Sequence, residues 1–133
     1  MSVSIQDEVR SAVFGDQRLT NRLGKIVEEL DAKPNMSVPA ATHGRAEMEA
    51  AYRFFDNDKV SPEKILQPHI EATRERIWQT DVVLLVQDTT DLDLTRPNQQ
   101  VEGTGPLETE TRHGVFFHPL LAFDDHGLPL GVA

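Results

Sequence analysis

Cysteine is absent from all 133 residues, which excludes disulfides and thiolate metal sites and leaves carboxylates and five histidines as the only strong metal ligands. No apolar run approaches the ~20 residues that a membrane-spanning helix needs. The opening MSVSIQDEVR has neither the basic nor the apolar region of a secretory signal. The expectation is therefore a soluble cytoplasmic chain with no membrane partner. Aromatics are few, with one Trp, one Tyr and six Phe, and positive charge is outweighed, giving a net charge of −9. Bulk acidity of this size works against phosphate-rich partners, which need clustered Lys and Arg.

The distribution of charge modifies that conclusion. Residues 1–60 carry 8 basic against 10 acidic side chains and residues 61–133 carry 5 against 12. A nearly balanced first part can still present a basic face, and an acidic second part is what a carboxylate metal site would look like. Hydrophobic residues at 38% and charged residues at 26% lie near globular averages, so folding is expected.

Periodicity predicts helices through the first part. Ile5, Val9 and Val13 recur at steps of four and suggest a short amphipathic helix broken by Gly15. Asp16 is placed to cap a longer helix whose core face holds Leu19, Leu23, Ile26, Val27 and Leu30, with Arg18, Arg22 and Lys25 opposite. That helix ends at Lys33-Pro34-Asn35, and Ser37 to Gly44 suggests a turn or a single helical turn. Met48, Ala51, Tyr52 and Phe55 predict the core face of a third helix, with Arg45, Glu49 and Arg53 on its other side. By this spacing Phe54 projects away from the core. Ser61-Pro62-Glu63 combines an N-cap, a proline in the first turn and an acid near the positive helix end. It predicts a fourth helix with Leu66, Ile70, Thr73 and Ile77 on one face, kinked or delayed by Pro68.

From Val82 the pattern changes. Val82-Val83-Leu84-Leu85-Val86 has the character of a strand buried on both faces, and the alternation at Asp91–Leu94 continues it or turns outward as an edge. Thr95 to Arg112 is a long polar loop of the kind that orders on binding. Residues 114–123 predict a further strand, and Asp124-Asp125-His126-Gly127 a hairpin turn into Leu128–Ala133. The expected fold class is α+β, with a helical domain at residues 1–80 and strands at residues 81–133. A chain that stops within an apolar strand is expected to be truncated.

Read in order, FGDQRLTNRL, SVPAATHGRAEMEAAYRFFDNDKVS and VLLVQDTTDLDL resemble the transposases of bacterial composite transposons and their insertion-sequence relatives. The resemblance covers about residues 11 to 133, including the ETRHGVFFHPLLAFDDHGLPLGVA hairpin. It implies a helical domain that binds double-stranded DNA at transposon ends, followed by the first strands of an incomplete RNase H-like core. That core carries an Asp, Asp, Glu triad which holds Mg2+ or Mn2+. Asp88 in QDTT matches the first acid of the triad, both as catalytic residue and as metal ligand, and the other two acids are expected beyond Ala133. GDQRLTNRL points to Arg18 and Arg22 as DNA contacts and AYRFF to Arg53, with Arg45 and Lys33 as additions. The same resemblance implies a homodimeric synaptic complex for the full-length protein and a nucleoid-associated location.

Two hard cations about 3.5–4 Å apart need several bridging carboxylates, so one Asp alone is not expected to bind metal stably or to cleave DNA. Bland readings stand beside these. Asp88 is otherwise a turn residue at a strand end, Asp91 and Asp93 a solvated strand face, and the arginines locally paired surface residues. His113, His118 and His126 show no zinc spacing, and a self-sufficient metal hydrolase built on Asp88, Asp91, Asp93 and His118 has neither the ligand spacing nor the chain length. The rival to the transposase reading is an acidic α+β interaction module without catalysis, or a degenerate transposase remnant.

Overall fold

The computed structural model describes residues 4–133. The fold is α+β: among the described residues it has four α-helices and two three-stranded antiparallel sheets, and the chain divides into two compact units, Met1–Glu75 and Arg76–Ala133. No described helix is long and apolar enough to cross a membrane.

The first unit opens with a 3-10 turn over Ile5–Val9, closed by a capping box in which Ser4 and Asp7 exchange side-chain and backbone bonds. The turn is shorter than the expected amphipathic helix. The chain leaves it at Arg10, so Val9, Ala12 and Phe14 enter the core while Val13 is 76% exposed. A step of four holds only while the helix lasts, and here it does not reach Val13. Gly15 adopts φ 77°, a left-handed conformation that a side chain would oppose.

Helix α1 spans Gln17–Ala32, with Asp16 as its N-cap accepting from the Arg18 N–H at 3.0 Å. Leu23 and Ile26 are buried on its expected face, with Leu19, Val27 and Leu30 packed around them. The Thr20 hydroxyl donates to the Ala12 carbonyl at 2.9 Å and fixes the entry of the chain into α1. A single helical turn, α2 (Val38–Ala41), follows. Buried Glu29 then reaches from α1 to accept from the His43 backbone N–H at 3.3 Å, and its carboxylate also meets His43 Nδ1 at 3.0 Å. This holds the segment from which α3 (Arg45–Phe55) starts.

The rotation of α3 differs from expectation. Ala51 of the expected face is buried and Met48 half-buried, but Phe54 is buried in place of Tyr52 and Phe55, which are 49% and 48% exposed. Spacing alone admits either stripe. Ala51, fully buried, has little bulk to hold neighbouring helices apart, and the Phe54 ring fills the space against Phe14. The larger side chains at positions 52 and 55 are left outside.

Helix α4 spans Pro62–Trp78. It begins at Pro62, so Pro68 does not delay its start. The Ser61 hydroxyl accepts from the Lys64 N–H at 3.3 Å, as expected of an N-cap. Of the expected face, Thr73 is buried and Ile70 and Ile77 are half-buried, whereas Leu66 is exposed and Pro68 is buried. His69 Nδ1 meets a Glu8 carboxylate oxygen at 2.8 Å, linking α4 to the N-terminal turn.

In the second unit, β1 (Val83–Gln87) pairs with β5 (Leu120–Asp124), which also pairs with β6 (Pro129–Val132). The other sheet has order β2-β4-β3, with β2 Thr90–Asp93, β4 His113–Phe117 and β3 Gly105–Pro106. The apolar run forms a strand from Val83 onward, but not one buried on both faces: Leu84, Leu85 and Val86 are exposed. Among the described residues β1 is a sheet edge with β5 as its partner, so its apolar character is not matched by cover.

Residues 114–123 form two strands. The register that pairs Gln87 with Leu120 carries through to Thr90 with Phe117 without a bulge, but the ladder is interrupted at Asp88-Thr89 opposite His118-Pro119. Pro119 has no N–H to donate, which suits an interruption there. The hairpin at 124–127 forms as expected: Asp124 Oδ1 accepts from the backbone N–H of His126 and Leu128, and Gly127 takes φ 83°. The 95–112 segment is pinned rather than loose. Gly105 and Pro106 pair with β4, the Leu107 N–H donates to the Arg112 carbonyl at 2.8 Å, and Arg112 Nε meets Asp93 at 3.0 Å.

Candidate nucleic-acid interface

Three of the five expected DNA-contacting residues converge. Arg18 and Arg22, one helical turn apart on α1, and Arg53 on α3 line one open cleft of about 320 Å³ whose apolar lining is Leu19, Ala50 and Phe54, with Asp16 and Asn57 completing it. The i, i+4 spacing puts Arg18 and Arg22 on one face of α1. Arg53 and its buried neighbour Phe54 both line the cleft.

The arginines differ in how they are held. Arg18 forms a two-point pair with the capping residue, Nε to Asp16 Oδ1 at 3.1 Å and Nη2 to Oδ2 at 2.9 Å. Its side chain remains 91% exposed. The Arg18 side chain, and next its backbone N–H, hold the Asp16 carboxyl down at about 2, and the pairing raises Arg18 in turn. Arg22 Nη1 donates to Glu47 Oε2 at 2.5 Å, and Lys25 Nζ donates to the other oxygen, Oε1, at 3.3 Å. Arg22 first and Lys25 second keep Glu47 below the usual carboxylate range. Glu47 sits in the first turn of α3, where the positive helix end favours an acid. Arg53 has no salt-bridge partner among the described residues.

Arg45 and Lys33 lie outside the cleft. Arg45 Nε bonds Glu49 at 2.8 Å one turn along α3, and Lys33, at the C-cap of α1, donates to the Ala40 carbonyl at 3.3 Å. Two residues not assigned to DNA contact from sequence stand beside the site. Lys25 joins Arg18, Asn21 and Arg22 along a shallow surface depression on α1, and the helical spacing that placed it beside Arg22 was its available signal. Glu47 had none, because its partners lie 25 and 22 residues away on another helix.

Asp88 lies in the second unit, exposed, where β1 ends. One of its oxygens accepts the Thr89 N–H at 2.8 Å, and the Thr89 hydroxyl meets His118 Nδ1 at 2.6 Å. Among the described residues no three His, Asp or Glu side chains come together as a metal site. Asp93 is occupied by Thr95 and Arg112. These residues by themselves do not fit a divalent ion, since Mg2+ demands near-ideal octahedral oxygen coordination.

Residues 1–60, the stretch containing the whole three-arginine cleft, match the family model described as transposase DNA-binding, which supports a transposase N-terminal domain there with DNA as its partner.

Proposed function

We propose that this chain is a transposase fragment that binds double-stranded DNA at transposon ends through Arg18, Arg22 and Arg53. The observation that carries this reading is the convergence of three arginines from two helices on one cleft inside the stretch that matches the DNA-binding family. An arginine fork can engage two acceptors at once, phosphate oxygens or a guanine edge. Arg53, unlike Arg18 and Arg22, has no salt-bridge partner among the described residues. Arg45 and Lys33 add charge at the start of α3 and the end of α1. In this reading Asp88 is the first acid of an Asp, Asp, Glu nuclease triad on an RNase H-like core. The complete site then belongs to a longer, metal-dependent protein of the cut-and-paste insertion-sequence type, which binds Mg2+ or Mn2+ and works as a homodimer at the nucleoid.

The test is titration of the purified chain with duplexes carrying the terminal inverted repeats of its element, and with scrambled duplex, across a salt series. Preference for the repeat is expected, with affinity falling steeply as salt rises. Arg53→Ala should weaken binding and lower the salt slope by roughly one. Equal binding to both duplexes at every salt concentration refutes end recognition. A second reading, a non-catalytic interaction module, draws on the carboxylates already held by Arg18, Arg22 and Arg45. It is favoured if no duplex binds at all.

A further inference from the structure

Glu47 interrupts the basic stripe that the DNA reading depends on. Its two oxygens are each taken by a different cation of α1, Oε2 by Arg22 and Oε1 by Lys25, so the trio presents one net positive charge instead of two. The carboxylate is half-buried at 25% side-chain exposure, and Arg22 is similar at 30%. That makes this ion pair less screened than one between fully solvated groups. Glu47 engages Nη1 of Arg22, and Nε and Nη2, whose directions are then fixed, have no hydrogen-bond partner among the described residues.

We propose that Glu47 sets the selectivity of this interface, holding Arg22 and Lys25 in a fixed geometry that a matching duplex can use and that non-specific phosphate contact must break. The inference rests on the DNA-binding reading above. A duplex whose shape fits the cleft reaches Nε and Nη2 of Arg22 without displacing Glu47. A duplex that does not fit gains only by drawing the two cations out to its phosphates, and Glu47 opposes that. Removing the carboxylate should therefore favour the wrong duplex more than the right one. Glu47 is a positioning residue: it acts on DNA through the cations it holds.

The experiment compares the full chain with Glu47→Gln and, as a control for the charge change alone, with Glu71→Gln. Glu71 lies on α4 and bonds only Gln67 among the described residues. Terminal-repeat and scrambled duplexes are titrated over a salt series. Glu47→Gln should tighten scrambled binding by about tenfold, tighten repeat binding less, and steepen the salt slope by about one to two as the released cations reach phosphates. Glu71→Gln should leave the ratio of affinities at its wild-type value.

An unchanged ratio and slope in Glu47→Gln, with the wild type binding its repeat, overturns this inference and leaves the DNA reading standing. Absence of wild-type binding to either duplex defeats the DNA reading itself. If thermal melting shows that Glu47→Gln unfolds, exposed Lys25 gives the answer. Lys25→Gln should then lower the salt slope clearly less than Arg53→Ala does, because Glu47 already occupies that ammonium, and an equal loss overturns the inference.

Discussion

Phe54 stands edge-on to Phe14, ring centroids 5.6 Å apart and planes at 88°, and this contact goes with the rotation of α3 that leaves Arg53 at the cleft. Edge-to-face geometry sets the positive ring edge against the negative face and adds to the gain from burial. Phe54 is 2% exposed while its neighbour Phe55 is 48% exposed. Phe54→Ala should cost about 3–5 kcal/mol, and Phe55→Ala less than about 1 kcal/mol, as for surface changes generally. Urea unfolding of the full chain followed by circular dichroism checks this. Equal losses from the two variants would contradict the assigned rotation.

The elements that local chemistry decides were readable in the sequence. Asp16, Ser61-Pro62 and the Asp124–Gly127 turn act through neighbours within a few residues, and each stands where its chemistry predicts. The basic face of α1 was readable for the same reason. The face of α3 was readable only in part: Ala51 is buried as expected, but Phe54 and the pair Tyr52/Phe55 can each accompany it at helical spacing, and packing against Phe14 decides for Phe54. Nor could the exposure of β1 be read, since apolar composition records what a strand is suited to pack against and not whether cover is present. Glu47 illustrates the wider limit: an acid that holds two cations of another helix leaves no trace in local spacing.

The Asp16 cap carries a pH dependence whose direction follows from its partner. Arg18 lowers the carboxyl from 3.8 to about 2 in the folded chain. The unfolded state therefore takes up a proton first as pH falls. The cap's contribution is complete above 3.8 and is lost as pH drops through about 2. Solvent exposure keeps the effect small. Asp16→Asn, which can still cap but cannot titrate, should lose less stability across this window than the wild type. Thermal midpoints measured against pH for both proteins test it, and parallel curves throughout the window would remove Asp16 as a cause.

Thr95 has a role in the second unit that Arg112 does not share. Its hydroxyl donates to Asp93 at 2.5 Å and accepts the His113 N–H at 2.9 Å, whereas Arg112 bonds Asp93 alone of these groups, at 3.0 Å. Thr95 first, and Arg112 after it, hold Asp93 down at about 2. Thr95→Ala should thus raise amide exchange at His113 several-fold, because the N–H loses its acceptor. Arg112→Ala should leave that amide near its wild-type rate. Exchange followed residue by residue in the full chain distinguishes the two, and faster exchange in Arg112→Ala than in Thr95→Ala would reverse the assignment.

Gly114 is required by the close approach of two strands. It pairs with Asp93 on β2 and Gly105 on β3, and a Cβ built there would lie 2.0 Å from the Leu92 carbonyl oxygen and 3.1 Å from the Leu107 side chain. Leu107 can move, but the Leu92 oxygen is backbone and shifts only if β2 separates from β4. Gly114→Ala should therefore destabilise the β2-β4-β3 sheet by at least the ~1–3 kcal/mol typical of overpacking. Loss of amide protection should be concentrated at Asp93, Leu94 and Leu107, while the Phe14–Phe54 core of the first unit keeps its protection. Wild-type protection throughout the sheet in Gly114→Ala would show that β2 and β4 are not this close in solution.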